Sequence, residues 1–369
     1  MNYPFTTIWI NGRFVALDAI LQELSIPKSP FEDQTFSFIR EWLSGQKTFT
    51  IQTSGSTGAP KMISVTREQM IASAGLTEQV LGLKQSSNAL VCIDTKHIGG
   101  RMMLVRSFVT GMRIWAIEPC ATPLQKLPID HCVNFAAFVP YQVQSMLGSK
   151  HPHMLNNLDV SIIGGAPLDE KIIEQLQRYL CRCYATYGMT ETISHIALRA
   201  LNGKEKSENY QALPGINLQK DDRGCLVIDV PYLPERIVTN DLVEIISPGV
   251  FRWTGRWDNV INSGGIKIIP EKVEAALKNI FLEAGLNNRF FIHGLPDEKL
   301  GHKVVLVLEA ADLSSAQLEK IMSLLQALSA PYERPREVLV TQGFASTDNG
   351  KINRLKTLTD ARKFIPQIS

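Results

Sequence analysis

The chain has 369 residues and a formal net charge of +2, with 44% hydrophobic and 20% charged residues. These values are typical of an ordinary globular protein, and the length favours more than one domain. So small a net charge gives no reason to expect nucleic acid or an anionic membrane surface as a partner.

The cysteines and the first residues predict the cellular compartment. The six cysteines are scattered, and Cys181 and Cys183 lie in a predicted buried strand rather than in a CxxC loop. We interpret them as reduced structural thiols, which fits a reducing compartment. Residues 1–16 lack a basic segment followed by a long apolar one, so no signal peptide is expected. No apolar run approaches the roughly 20 residues of a membrane-spanning helix. The sequence therefore predicts a cytoplasmic protein.

From the N-terminus onward, short apolar runs alternate with amphipathic stretches. Asn11-Gly12 predicts a hairpin over residues 6–17, and helical periodicity follows over 19–24 and 36–43. Capping-box spacing of Thr66 and Gln69 supports a helix after residue 66. The predicted strands are 48–52, 90–93, 113–117, 135–139, 160–163 and 182–185, and the helices among them are 67–81, 102–109, 142–147 and 170–180. This alternation predicts an α/β fold with mostly parallel sheets flanked by helices.

The pattern changes near residue 200. A polar loop over 202–209 precedes short strands, including a hairpin around residues 221–224. The last part is typical of a small α+β domain. Its predicted elements are helix 271–282, strands 290–294 and 303–309, helix 313–328 and strand 337–341. We place the boundary near Asp258, which gives domains of residues 1–257 and 258–369.

Residues 53–61, Thr-Ser-Gly-Ser-Thr-Gly-Ala-Pro-Lys, follow the predicted strand 48–52 and are the most informative stretch. Glycines let backbone N–H groups converge on an anion, and the four hydroxyls and the lysine add donors and charge. This stretch is not the usual P-loop, which has Gly directly before the Lys and a hydroxyl residue directly after it. The stretch predicts a polyphosphate-binding loop with Thr53, Ser54, Gly55, Ser56, Thr57, Gly58 and Lys61 as candidate ligands.

Six further motifs follow this loop in a fixed order. They are Gly164-Gly165-Ala166-Pro167-Leu168, Tyr187 to Thr192, Thr239-Asn240-Asp241, Gly255 to Asp258, Ser263-Gly264-Gly265 and Gly350-Lys351. With the loop, they resemble the adenylate-forming superfamily of acyl- and aryl-CoA ligases, peptide-synthetase adenylation domains and beetle luciferases. The resemblance covers roughly residues 48–354. It implies a large ATP- and acid-binding domain joined by a hinge at Asp258 to a small mobile C-terminal domain.

The resemblance also implies the ATP site. The loop would hold the β- and γ-phosphates, while Thr190 contacts phosphate and Glu191 helps to bind Mg²⁺, a cation that prefers carboxylate oxygen. Tyr187 would stack on adenine, and Asp241 would accept hydrogen bonds from the ribose hydroxyls. The other implied ATP- or AMP-binding residues are Gly165, Ala166, Gly188 and Arg256.

The reaction implied by the resemblance joins two anions, because a carboxylate attacks the α-phosphate of ATP. Catalysis therefore depends on positioning and charge neutralisation, and the implied catalytic residues are Lys351, Thr190 and Glu191. The superfamily's usual proline upstream of the lysine is missing here. Gly264 and Gly265 would let the pantetheine arm of coenzyme A pass close to the backbone. Attack by its thiolate would give the thioester and release AMP.

The acid is implied by a narrower resemblance. Superfamily members carry more than the 52 residues found here before the loop, so the first subdomain is expected to be shortened. Compact chains of this kind, with Tyr-Gly-Met-Thr-Glu-Thr followed by Ile-Ser-His-Ile over residues 187–196, resemble o-succinylbenzoate–CoA ligases of menaquinone synthesis, whose substrate carries a second, spectator carboxylate. A guanidinium suits such a group. We expect Arg101, which opens the predicted helix, to bind it, with Arg106 as the second choice. His97 and the adjacent Ser194 and His195 are weaker candidates for lining the pocket.

Three interpretations stay open. The first is this ligase, acting on a small carboxylic acid with ATP, Mg²⁺ and coenzyme A. The second is a ligase for another aryl or fatty acid. The third is an adenylation module that loads a carrier protein, or a non-catalytic nucleotide-binding relative. The sequence does not decide whether the protein forms a homodimer.

Overall fold

The computed structural model describes residues 3–52, 61–130, 132–311, 313–345 and 352–361. The chain divides into two compact units. Unit 1 comprises Met1–Leu218, Ile228–Ile237 and Ile245–Phe251, and unit 2 comprises Gln219–Val227, Val238–Glu244 and Arg252–Ser369. The predicted hinge at Asp258 stays a prediction.

Helices and strands alternate over much of the described chain. The helices are α1 Leu17–Leu21, α2 Pro30–Leu43, α3 Arg67–Leu81, α4 Ile98–Thr110, α5 Pro140–Leu147, α6 Glu170–Leu176, α7 Pro270–Glu283, α8 Ser315–Leu325 and α9 Arg354–Ala361. The strands are β1 Thr7–Ile10, β2 Arg13–Ala16, β3 Thr48–Gln52, β4 Met62–Thr66, β5 Asn88–Val91, β6 Arg113–Ala116, β7 Phe135–Phe138, β8 Val160–Ile163, β9 Arg182–Gly188, β10 His195–Ala200, β11 Tyr210–Ala212, β12 Asn217–Lys220, β13 Cys225–Asp229, β14 Ile237–Ser247, β15 Val250–Arg256, β16 Ile261–Ser263, β17 Ile266–Ile268, β18 Phe290–Asp297, β19 Gly301–Glu309 and β20 Glu337–Thr341.

The main sheet of unit 1 has a parallel centre. Its strands run in the order β11-β10-β9-β8-β7-β5-β6-β1-β2. The pairs from β9 through β8, β7, β5 and β6 to β1 are parallel, whereas β10 pairs antiparallel with β9 and β2 with β1. Every residue of β5, β7 and β8 is buried. Short, wholly buried and mostly apolar strands of this kind are those that helices cover on both faces, and the predicted α/β fold is confirmed.

Most element predictions agree with the structure, and some need correction. Strands 48–52, 160–163 and 337–341 and helix 67–81 have the predicted bounds, and Thr66 and Gln69 form the predicted capping box. However, α4 begins at Ile98, so Arg101 does not open this helix. The predicted helix 170–180 ends at Leu176. Cys181 precedes β9 instead of lying in it, although Cys181 and Cys183 are both buried and free.

Unit 2 contains a separate sheet, β17-β16-β19-β18, with β20 parallel to β19. Successive residues of β19 face opposite sides, as the two-residue period of a strand requires. Leu306 belongs to a core with Leu277 of α7 and Leu325 of α8. Val307 instead packs in a cluster with Leu358 of α9. The sheet is therefore covered by helices on both faces.

An ion pair connects two helices of unit 2. Arg354 in α9 forms a fork with Glu274 of α7, with Nη1–Oε1 and Nη2–Oε2 distances of 3.0 and 3.1 Å. This pair attaches α9 to α7 within unit 2.

Among the residues that the structure describes, no helix is both long and apolar enough to cross a membrane.

Two adjacent glycines of α4 offer a matched test of packing at the start of this helix. A Cβ at Gly100 would lie 2.6 Å from the carbonyl oxygen of Ile93, whereas one at Gly99 would lie 3.8 Å from the nearest atom, Ile93 Cγ2. We expect Gly100→Ala to destabilise the protein by about 1–3 kcal/mol, since the backbone must move. Gly99→Ala should be neutral or stabilising by at most about 1 kcal/mol. Urea unfolding of both variants checks this, and equal destabilisation would contradict it.

Candidate functional site

The candidate nucleotide-binding residues of unit 1 lie at the carboxyl ends of neighbouring parallel strands. Gly165 and Ala166 lie two and three residues after the end of β8, and Tyr187 and Gly188 end β9. The hydrogen bond from Gly164 N to Phe138 O, 3.0 Å long, continues the pairing of β8 with β7 to this edge. Ligands of open α/β sheets bind beyond the carboxyl ends of their strands. The sheet therefore brings these predicted residues to one edge.

The proposed phosphate loop is flanked by a strand hairpin. β3 and β4 are antiparallel, and Gln52 and Met62 form their last pair before the loop. Lys61 is exposed and directly precedes β4. Thr53 to Gly58 lie outside the described residues, so their predicted role stays a prediction. The hairpin nevertheless places both ends of this segment next to each other.

An aromatic cluster surrounds Tyr187. The ring of Tyr187 lies edge-on to Phe251 at 5.0 Å and to Tyr210 at 5.8 Å between ring centroids. Tyr210 and Phe251 stack at 5.5 Å, since β11 pairs with the first residues of β15. Edge-to-face packing fixes the orientation of a ring. Tyr187 is half-buried, so part of its surface stays available, as stacking on a purine requires.

The turn after β9 is held by a buried threonine. Thr192 Oγ1 accepts from Met189 N at 2.9 Å and lies 2.7 Å from Ser194 O. Ile193, a β-branched residue, has a φ of +69°. Such a backbone is strained and persists only where the surroundings impose it, which is common at functional sites. The turn presents Thr190 half-buried and Glu191 exposed.

The predicted Mg²⁺ ligand can be tested against this geometry. The Glu191 side chain is exposed, and a carboxylate oxygen is a hard donor that Mg²⁺ accepts. No group of three or more potential metal ligands occurs among the described residues. Mg²⁺ commonly takes one or two carboxylates and completes its shell with substrate phosphates and water. Glu191 therefore fits the predicted role.

Unit 2 holds the predicted ribose-binding carboxylate. Asp241 is buried, and its Oδ1 accepts from Trp253 Nε1 at 3.2 Å. Arg256 Nη1 lies 3.6 Å from the same oxygen, and Asp241 N donates to Thr239 Oγ1 at 3.0 Å. These contacts fix the carboxylate in an orientation, which a ligand for two ribose hydroxyls requires.

Of the remaining predicted residues of unit 2, the structure describes Asp258, Gly264 and Gly265. Asp258 pairs with Arg256 at 2.6 Å and accepts from Asn240 Nδ2 at 2.9 Å. Gly264 and Gly265 form the exposed turn between β16 and β17, with φ angles of +58° and +82°. Lys351 lies outside the described residues, and its catalytic role stays a prediction.

The two candidate arginines of α4 have different surroundings. Arg101 is half-buried, and its guanidinium donates to the carbonyl oxygens of Thr95 and Thr50 at 3.1 and 3.0 Å. It also lies over the ring of Phe38 at 5.5 Å. Thr50 belongs to β3, so Arg101 supports the strand that leads into the proposed phosphate loop. His97 precedes α4 and is half-buried.

Arg106 is 2% exposed and has only uncharged partners. Its Nε donates to Thr77 Oγ1 at 3.2 Å, and Nη2 donates to Ser194 Oγ at 2.5 Å and lies 3.3 Å from His195 Nδ1. Nη1 lies 3.8 Å from Met103 Sδ. Within the described ranges, no carboxylate pairs with it. Burial lowers the pKa of Arg106 to about 10, so it stays cationic at neutral pH.

Sequence reasoning gave no role to Thr77 and Tyr232, and treated His195 as a weak candidate. The hydroxyl of Tyr232 lies 3.5 Å from Thr192 O. Burial raises the pKa of Tyr232, and the nearby cation of Arg106 opposes this rise. Burial, followed by the charge of Arg106, lowers the pKa of His195 well below its usual value. The adjacent Ser194 and His195 were the available signal for this cluster. Thr77 and Tyr232 offered none, because they come from distant segments.

Comparison with known proteins gives consistent matches. The AMP-binding enzyme family matches residues 18–222, more than half of the chain. An acyl-CoA synthetase (AMP-forming)/AMP-acid ligase II-like protein from Dyadobacter fermentans is 39% identical, with a TM-score of 0.61 over 92% of this chain and 97% of its own. The o-succinylbenzoate–CoA synthetase of Bacillus subtilis, solved with ATP and magnesium, is 20% identical, with a TM-score of 0.68 over 84% of this chain and 69% of its own.

One of the curated relatives is named as a ligase for a specific acid. The 2-succinylbenzoate–CoA ligase of Staphylococcus aureus is 27% identical over 329 residues, which cover 82% of this chain. The aligned part spans 65% of that enzyme, so this chain matches about two thirds of the relative's length.

Replacing Asp241 tests the predicted ribose site. Asp241→Asn keeps an oxygen for Trp253 but removes the charge that would strengthen hydrogen bonds from the ribose. We expect ATP affinity, measured by calorimetry, to fall roughly 10- to 100-fold while thermal unfolding changes little. Asp222→Asn, at a neighbouring exposed carboxylate, is the control and should bind ATP normally. Unchanged ATP affinity in Asp241→Asn would contradict the assignment.

Proposed function

This chain belongs to the AMP-binding enzyme family, and on that premise we propose that it activates a carboxylic acid with ATP and transfers the acyl group to coenzyme A. The acid proposed is o-succinylbenzoate, and the product o-succinylbenzoyl-CoA. The S. aureus relative with that name supports the proposal without deciding it, because identity is 27% and a third of that enzyme has no counterpart here. A cytoplasmic location is part of the same proposal.

The observation that carries the choice of acid is the buried Arg106. A buried charge is costly unless it is paired, and among the described residues this guanidinium has no anionic partner. Ser194, which contacts it, is half-buried. A dicarboxylate would supply the missing anion while its other carboxylate reacts. We therefore propose Arg106 ahead of Arg101 for the spectator carboxylate.

The remaining proposed roles follow the chemistry of adenylation. Tyr187, Gly165 and Ala166 would bind adenine, and Asp241 would orient the ribose. Glu191 would hold Mg²⁺, which neutralises phosphate charge when it is bound. Lys351 would bring a cation to the carboxylate and the α-phosphate, because the two anions repel each other as they approach.

A pyrophosphate-release screen tests the reaction. We expect o-succinylbenzoate to give acid-dependent pyrophosphate release in the presence of ATP and Mg²⁺, and a thioester when coenzyme A is added. Benzoates and medium-chain fatty acids serve as comparison acids.

Each other outcome of the screen contradicts a stated part of the proposal. Turnover of a different acid, with o-succinylbenzoate inert, would contradict the proposed substrate but agree with the proposed reaction class. Pyrophosphate release without thioester formation from free coenzyme A would favour a carrier-loading module. No release with any acid would contradict the enzyme activity.

The two arginines of α4 provide a matched comparison. We expect Arg106→Gln to raise the KM for o-succinylbenzoate at least about tenfold, the effect of losing a charge-assisted contact, and to leave the KM for ATP unchanged. Arg101→Gln should spare the KM for the acid, since its partners are backbone carbonyl groups. Steady-state kinetics of both variants measures this.

Folding and substrate binding must be separated for a residue as buried as Arg106. Benzoylpropionate, which lacks the ring carboxylate, is the control substrate, and the Arg106→Gln variant should use it as well as the wild-type protein does. If Arg101→Gln, and not Arg106→Gln, raises the KM for o-succinylbenzoate, the assignment to Arg106 is wrong.

A further inference from the structure

The proposed carboxylate site contains a histidine whose protonation follows from its neighbours. Arginine has no hydrogen-bond acceptor, so His195 Nδ1, 3.3 Å from Arg106 Nη2, must be the accepting nitrogen. The hydroxyl of Ser194, whose Oγ lies 3.5 Å from the same nitrogen, can donate to it as well. The imidazole is therefore neutral, with its proton on Nε2.

The contacts of the other ring nitrogen fit the same tautomer. Thr77 Oγ1 donates to Ser73 O at 3.3 Å. With its proton directed there, it can accept from both neighbours, Arg106 Nε at 3.2 Å and His195 Nε2 at 3.2 Å. The proton that the accepting Nδ1 leaves on Nε2 completes this arrangement. Both ends of the imidazole agree on one tautomer, and every hydrogen-bonding atom of Thr77 and His195 has a partner.

The charge of its partners decides whether the positive charge of Arg106 stays available to a ligand. A carboxylate at position 195 would also hold Arg106, but it would neutralise the guanidinium within the protein. A neutral imidazole orients the guanidinium and leaves its charge uncompensated. Burial and the neighbouring cation both oppose protonation of His195, so its pKa is well below the ordinary value.

We infer that His195, together with Thr77, is a positioning residue that makes the protein selective for acids bearing a second carboxylate. It does so by holding Arg106 in place without cancelling its charge. The inference rests on the proposed function, because it assigns selectivity to the site proposed there. Neither residue needs to touch the substrate.

An asparagine and an aspartate at position 195 test the inference, because they have the same shape and differ in charge. The readout is the ratio of kcat/KM for o-succinylbenzoate to that for benzoylpropionate. His195→Asn offers a neutral acceptor near the place of Nδ1 and should keep the wild-type ratio. His195→Asp should lower it about tenfold or more, the order of one charge-assisted contact. A purely structural role predicts that both variants keep the ratio or lose it together, and either result would overturn the inference.

Thr77 provides a second position for the same test. Thr77→Val keeps the shape and removes the hydroxyl, whereas Thr77→Ser keeps the hydroxyl. We expect Thr77→Val to lower the selectivity ratio and to raise the KM for o-succinylbenzoate more than it lowers kcat, and Thr77→Ser to retain both. Equal behaviour of the two variants would count against the role of Thr77.

A measurement without substrate separates this inference from the proposed function. Two-bond nitrogen–proton correlation spectra of protein labelled with nitrogen-15 histidine report the tautomer directly, and His195→Asn identifies the His195 signals. A neutral ring protonated on Nε2 at pH 7 supports the inference, and any other form overturns it. If wild-type protein uses neither acid, the proposed substrate is contradicted, while the spectra still decide the state of His195.

Discussion

Parallel pairing of β5, β7, β8 and β9 is the constraint on which the unit 1 site depends. Parallel strands have all their carboxyl ends at one edge, so the segments after β8 and β9 leave the sheet side by side. The residues that follow, Gly165 and Tyr187 to Glu191, are brought together although more than twenty residues separate them in the chain. The apolar composition of β5, β7 and β8 permits this arrangement, because strands covered on both faces need no polar side.

The same sheet leads to the second constraint, the buried guanidinium of Arg106. α4 follows β5 and is almost wholly apolar on its buried positions, with Met102 to Val105 fully buried. A charge in such a helix is tolerated only with good hydrogen bonds. Here α3 supplies Thr77, and the turn and strand after β9 supply Ser194 and His195. The acid-binding proposal therefore depends on the packing of α3, α4 and β10 against one another. The nucleotide-binding proposal depends instead on the carboxyl ends of β8 and β9.

Local features of the fold could be predicted from the sequence, whereas the site cluster could not. The turn at Asn11-Gly12 and the capping box of α3 depend on residues a few positions apart, and both are present. The partners of Arg106 are 29, 88 and 89 residues away, so no local pattern indicates them. The preference for Arg101 came from its place near a helix start that lies three residues earlier, at Ile98. The motifs of the predicted nucleotide site, in contrast, are contiguous segments, so each can be seen directly in the sequence.

Leaving Arg106 without an anion has an energetic consequence for the whole protein. An uncompensated buried charge destabilises a fold by several kcal/mol relative to a paired one, and a carboxylate at position 195 would remove most of that cost. It would also remove the attraction for a ligand carboxylate. A ligand that supplies the anion and binds only the folded state stabilises that state by an amount that rises with the logarithm of ligand concentration over Kd. In the proposed site, a neutral histidine between Thr77 and Arg106 would therefore favour selectivity over stability, because the charge of Arg106 would stay available to attract the second carboxylate of the acid.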